Sequence, residues 1–361
     1  MLDRLLRTAL RLAPQRFHHV SRPGGRLTPD RLEAIRRQMK REFGAFAPPV
    51  ALHSQSPPVL SVVWTMLRET LVVTGAVPRA VKEVIATEVS AANSCPYCVE
   101  VHDAVLGALT GNRDDTSRDA AASWARASVR QDTARSAGPP FTARQAPELI
   151  GVAVTFQYLN RMVNVLLEAS PLPSVVPIVI RKGALRALGQ ALRRPAVAPH
   201  PPGRSTALLP PAELPDDLVW AEPNPAIADA FARASAVFEE AGARSVPPRV
   251  RELVVNRLRD WDGHPLGPDG GRLDEALAGL PEQDRAAGRL AWLVALAPYR
   301  IDDQVVGQFR EAGGDETALV ELTAWAAFTA ARTAGAWLLN LPSGGVSALD
   351  GASQDSVEDA G

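Results

Sequence analysis

A chain of 361 residues is too long for one compact helical core and points to two units. With 46% apolar residues and 39 basic against 40 acidic side chains, it can build real cores but has no overall field to draw nucleic acid or a lipid surface. Two cysteines three residues apart exclude a structural disulfide framework and leave reversible redox chemistry or a metal site.

Residues 1–41 form a basic N-terminal arm, with eleven Arg or Lys against Asp3, Asp30 and Glu33. The opening MLDRLLRTALRL threads basic residues through apolar ones and lacks the unbroken apolar stretch of a secretory signal. No segment qualifies as a transmembrane span; the uncharged run from Thr333 to Leu349 is broken by Pro342, Gly344 and Gly345. A cytoplasmic protein is therefore expected. The arm itself reads as an amphipathic helix packed on its own domain, or as a dock for an acidic partner or membrane surface.

Residues 42–180 form a first unit. Its apolar spacing is helical: Val81, Val84, Ile85 and Val89 follow the i, i+3, i+4 rule, as do Leu149, Val152, Phe156, Leu159 and Val163. The short apolar run from Val175 to Ile180 is ambiguous, and Pro177 argues against a central strand there. The expected fold class is all-α. Within this unit, Val77 and Pro78 open a helix carrying Glu83 and running to about Ala92. Asn93 and Ser94 break it, and Ser94 is the expected N-cap of a second helix, with Cys95 in its first turn. The unpaired N–H groups and helix dipole there favour a thiolate.

Cys95 and Cys98 are three apart, and Cys98 and His102 four apart, so one stripe holds two sulfurs and an imidazole. An imidazole titrates near neutral pH and can take a thiol proton. A carboxylate on the preceding helix can orient it or receive the proton, and Glu83 is the candidate. The i+4 pairing favours Cys98 as the activated thiol; the helix dipole favours Cys95, and the specific base outweighs the partial charge. Competing readings exist. A metal knuckle would take His102 as a third ligand, but His53 is the one other His in this unit and a structural zinc needs four ligands. Covalent haem needs His directly after the second Cys, where Val99 stands. No cofactor and no metal are expected. Glu83 could be an ordinary surface carboxylate, and Glu88 and Glu100 are rival acids at helical spacing, read as solvated.

These residues carry a resemblance. The stretch EVIATEVSAANSCPYCVEVH resembles the AhpD-like alkylhydroperoxidases of the carboxymuconolactone decarboxylase-like superfamily. Their pattern E-x11-C-x-x-C-x3-H is met by Glu83, Cys95, Cys98 and His102, and FQYLNRMVNVL from Phe156 looks like that family's closing helix. The resemblance implies an all-helical bundle working as a homo-oligomer and reducing hydroperoxides. It further implies that Cys98 attacks the peroxide and Cys95 condenses with the resulting sulfenic acid, that His102 and Glu83 relay the proton, and that an external dithiol, lipoyl or thioredoxin-like, resets the disulfide. Tyr97 departs from relatives with His between the cysteines, and some superfamily relatives are decarboxylases lacking the dithiol. A second reading, from another class, is a redox-sensing interaction protein whose dithiol switches assembly without turnover.

Residues 181–216 read as a Pro-rich linker: 181–222 carry six basic residues and seven prolines, with Pro195–Pro215 the least helical part. Residues 217–343 read as a degenerate second copy. VPPRVRELVV from Val246 aligns with VPRAVKEVIA from Val77, with Pro247 over Pro78 and Glu252 over Glu83, and more weakly Arg332 falls over Arg161. At the same offset His264 replaces Cys95, Gly267 replaces Cys98 and Gly271 replaces His102, so this copy is expected to be structural. From Gly344 to Gly361 the tail is small and acidic.

Overall fold

The computed structural model describes residues 17–21, 30–111, 116–173, 176–267 and 272–339. The acidic tail, most of the basic arm and Gly271 lie outside the described residues. Among those described there is no strand, only an isolated antiparallel bridge between Phe17 and Leu167. The fold is all-α.

Numbering the helices of nine residues or more, the first half contains α1 (Asp30–Glu42), α2 (Pro57–Leu67), α3 (Arg79–Ala92), α4 (Pro96–Thr110), α5 (Thr116–Ala127) and α6 (Ala146–Leu166). Then come α7 (Ile178–Val197), α8 (Pro225–Ser245), α9 (Pro248–Arg259), α10 (Arg285–Leu296), α11 (Asp303–Glu311) and α12 (Glu316–Ala336). Proline in the first turn opens α2, α4, α6, α8 and α9, where its missing N–H costs no hydrogen bond. Helix starts recur at a near-constant offset of 168 to 170 residues: α2 with α8, α3 with α9, α5 with α10, α6 with α12. The partners α6 and α12, both 21 residues, pack on each other, as do α2 and α8. Duplication of a helical unit produces this arrangement.

The core runs through both halves. Tyr158 on α6 lies 5.1 Å from Phe238 on α8 and 6.3 Å from Phe328 on α12, ring to ring. α6 is long and apolar enough to cross a membrane, but almost all of it is buried inside the protein, as a central bundle helix must be. The described part of the arm behaves as an amphipathic helix, with Leu32, Ile35 and Met39 of α1 buried in the core.

Two expectations are corrected. The supposed linker is helical as far as Val197: α7 lies along α4, with Ala184, Ala187 and Leu192 buried. No proline falls between Pro177 and Pro195, so nothing interrupts the helix, and the ambiguous residues Ile178 to Ile180 form its first turn. The following stretch is not free either. Arg68 is buried between Glu42 and Glu69 at 2.7 and 2.5 Å and donates to the Pro201 carbonyl at 2.8 Å. Glu69 accepts from Gly203 N–H and Ser205 Oγ, both at 3.0 Å. Such a network is costly to bury unless every member is paired, and pairing its last members requires this loop in place.

The second correction concerns Ser94. It has a left-handed backbone, φ 54°, and is not the N-cap; Cys95 occupies that position and Pro96 starts the helix. Proline forces the preceding residue out of the helical region, which moves the boundary one residue on.

Candidate active site

The site forms where α3 turns into α4 beneath α6 and α7. The start of α3 is fixed by a buried ion pair: Lys82 Nζ is 2.6 Å from Glu148 and donates to the Val73 carbonyl, while Glu148 also accepts from the Ala76 N–H at 2.7 Å. Burial lowers the Lys82 pKa and the Glu148 carboxylate opposes that shift. At the other end, Cys95 N–H bonds the Ser90 carbonyl at 2.9 Å, closing the turn on the first cysteine.

All four expected residues meet. Cys95 and Cys98 are reduced, 1% and 3% exposed, with their sulfurs 3.0 Å apart. His102 Nδ1 is 2.6 Å from Glu83 Oε2, and the edge of Phe156 packs on its ring at 4.7 Å. Glu83 is fully buried, not a surface acid. Its other oxygen accepts from Arg79 Nε at 2.7 Å, a residue the sequence reading missed although Arg79 and Glu83 are at i, i+4. Burial opposes ionisation of Glu83, yet Arg79 and His102 outweigh it and hold the carboxyl below the usual range. Glu83 is thus a fixed anion holding Nδ1 and leaving Nε2 for chemistry.

The rival acids are engaged elsewhere. Glu88 pairs with Arg126 at 2.9 Å, and Glu100 binds Arg181 at 3.0 Å, tying α4 to α7. His53 contacts the Tyr158 hydroxyl at 2.6 Å and the Val50 carbonyl, and burial lowers its pKa to about 3, so it stays neutral.

Cys98, His102 and Tyr97 open onto a cavity of about 100 Å³. Phe43, Pro48, Leu67, Phe156 and Leu159 wall it, and Leu188 and Leu192 of α7 close it. Cys95 does not line it. α7 comes this close to α4 because residue 189 is glycine; a Cβ there would strike the Ala104 carbonyl oxygen. Four residues apart, Cys98 and His102 share the cavity without a hydrogen bond between them among the described residues.

The two sulfurs differ. For Cys95, burial disfavours the thiolate, but hydrogen bonds from the Cys98 thiol and backbone and from Asn160 hold its pKa below the ordinary value. Burial, reinforced by the Cys95 sulfur, pushes Cys98 well up. At this separation a charge on one sulfur opposes a charge on the other, so the two thiols titrate as a pair. Burial likewise keeps the Tyr97 phenol protonated.

Among the described residues the second half shows no such site. Glu252 is exposed, and His264, also exposed, reaches Asp132 at 4.0 Å. Arg332 binds Asp217, whereas Arg161 is buried over Trp261 and bonded to the Ala295 carbonyl, so that weak alignment has no shared role.

The profile of the carboxymuconolactone decarboxylase family matches residues 58–137, which span α2 to α5 and the dithiol. The chain is also 38% identical over 312 residues, 83% of its length and 89% of the relative's, to a protein named alkyl hydroperoxide reductase Rv2159c from Mycobacterium tuberculosis (strain ATCC 25618 / H37Rv).

Proposed function

The chain belongs to the carboxymuconolactone decarboxylase family, and on that footing we propose that it is a thiol-dependent peroxidase that reduces hydroperoxides through Cys95 and Cys98. The relative's name supports an oxidoreductase of this type. The observation that carries the reading is the asymmetry of the dithiol: Cys98 and His102 open on an apolar cavity, and Cys95 waits 3.0 Å from Cys98 outside it.

A hydroperoxide enters the cavity, and His102 takes the Cys98 proton at Nε2. Base help is needed because burial and the neighbouring Cys95 sulfur push the Cys98 pKa up. The Cys98 sulfur attacks the terminal peroxide oxygen, the O–O bond breaks, and the leaving alkoxide recovers the proton from His102 as an alcohol. Cys98 is now a sulfenic acid. The Cys95 sulfur attacks the Cys98 sulfur as it gives up its thiol proton, the S–O bond breaks, and hydroxide leaves as water with that proton. Closing 3.0 Å to a bond of about 2.05 Å needs a small side-chain movement. Two electrons and two protons from an external dithiol, a lipoyl or thioredoxin-like carrier, restore the thiols. Attack on the cavity-facing Cys98 expels Cys95, whose lowered pKa makes it the better leaving group. Glu83 stays ionised throughout and orients the imidazole, so the relay ends at His102.

Single-cysteine variants test this assignment. Cys95→Ser should accumulate a sulfenic acid on Cys98 that a dimedone-type probe traps after peroxide, and Cys98→Ser should consume no peroxide. Labelling of Cys95 in the Cys98→Ser protein would reverse the roles.

A further inference from the structure

Tyr97, Cys98, Val101 and His102 form two adjacent rows on one face of α4, since residues four apart stack along a helix. All four line the cavity, and beyond them every lining side chain is hydrocarbon. The polar side chains of the cavity are therefore a thiol, an imidazole and a phenol, all presented by α4. The first two have tasks in the reaction above; the third has none. Tyr97 is 5% exposed, yet its hydroxyl makes no hydrogen bond among the described residues. The oxygen is not sealed in the core either, so it keeps surface open to a small molecule. Tyr158, also buried, shows the ordinary arrangement, with its hydroxyl 2.6 Å from His53 Nε2. Buried tyrosine hydroxyls normally find such a partner.

The size of the cavity brings a substrate to that hydroxyl. Its volume of about 100 Å³ is below the ~150 Å³ of a cavity that takes up benzene. A hydroperoxide whose terminal oxygen meets the Cys98 sulfur has its other oxygen one bond away, against the α4 face or against hydrocarbon. An oxygen that gains charge against hydrocarbon is costly. A protonated phenol donates one hydrogen bond and suits that oxygen. His102 delivers the Cys98 proton to the same oxygen, which has lone pairs for a second donor.

Resting on the peroxidase reading above, we propose that Tyr97 is a further catalytic residue, whose hydroxyl donates a hydrogen bond to the alkoxide oxygen released when Cys98 breaks the O–O bond. The terminal oxygen stays on Cys98 as the sulfenic acid with the hydrogen it brought. The alkoxide takes its proton from His102, and Tyr97 keeps its own throughout. The phenol thus acts as a fixed dipole where charge develops, between hydrocarbon walls.

The test is Tyr97→Phe, made in a Cys95→Ser background so that Cys98 alone reacts, and read by two reactions of that thiol. Oxidation by tert-butyl hydroperoxide releases an alkoxide and should slow by about 10², the lower end of what one such donor contributes because His102 shares the charge. Alkylation by iodoacetamide expels iodide, which needs no donor, and should proceed at the rate of the same background with Tyr97. Oxidation that is not slowed overturns the proposal. So does equal slowing of both reactions, which would place the effect on the thiol itself. Because the hydroxyl has no protein partner to lose, the melting temperature should hold; a variant that unfolds reveals a structural bond and overturns the proposal equally. A protein with Tyr97 that the hydroperoxide does not oxidise sinks the functional reading and this one with it. Normal oxidation with and without the Tyr97 hydroxyl sinks this one alone.

Discussion

Replacing Glu83 with Gln removes the anion that holds His102 and Arg79 while keeping nearly the same shape. In the parent the two contacts are 2.6 and 2.7 Å and the carboxylate is fully buried. Removing one partner of a buried ion pair costs about 3–5 kcal/mol. The Arg79 side chain is 14% exposed and can turn partly to water, which puts the expected loss nearer ~2–3 kcal/mol. The kinetic effect is separate: without the carboxylate the imidazole loses its fixed tautomer, and Cys98 oxidation should slow by about 10²–10³, within the range of general-base assistance. Stopped-flow peroxide oxidation would read the rate and urea unfolding the stability. The pH dependence has a definite sign. The folded pKa of Glu83 is depressed, so its stabilising contribution is present above the unfolded carboxyl pKa and is lost as pH falls through the folded value. The stability gap between parent and variant should be flat near neutrality and shrink below about pH 4.3. Oxidation within about threefold of the parent, in a folded variant, would remove Glu83 from the chemistry.

The second half should be dispensable for chemistry: His264→Ala with Glu252→Gln should keep peroxide turnover within a few-fold, and loss of most activity with the fold intact would contradict this. Gly189→Val should push α7 off the Ala104 carbonyl, cost ~1–3 kcal/mol and speed alkylation of Cys98; unchanged alkylation in the folded variant would remove α7 as the cover of the site. We expect a homo-oligomer that covers Ile178 and Val179, each 84% exposed at the start of α7. Light scattering should exceed the 38.5 kDa monomer and fall towards it in Ile178→Asp; a parent that is monomeric at micromolar concentration would refute that.

The site was legible in the sequence to the extent that helical spacing encodes it. Cys98 and His102 share a face because they are four apart, and Glu83 meets His102 because α3 folds back on α4. Arg79 was equally available by i, i+4 spacing on α3. Asn160 was not, since polar residues inside an apolar helix carry no sign of which distant group they face. Ser94 has the side chain of an N-cap, but Pro96 sets the helix start and makes Cys95 the cap. The α7 segment looks like linker because 181–222 is rich in proline as a whole, yet Pro195 is the one proline before Val197 and sits in the last turn of the helix. Its burial against α4, which closes the cavity, depends on tertiary packing at Gly189 and has no local signature.

The central claim, catalytic turnover at the dithiol, is tested most directly by counting hydroperoxide molecules reduced per chain as organic hydroperoxide is added in excess, with dihydrolipoamide or thioredoxin as the electron source. The account predicts many equivalents of alcohol per chain with at least one of these reductants, and a Cys95–Cys98 disulfide when reductant is withheld. Consumption that stops at one equivalent with either reductant, although both re-reduce the disulfide, would contradict it and leave a redox sensor in place of a peroxidase.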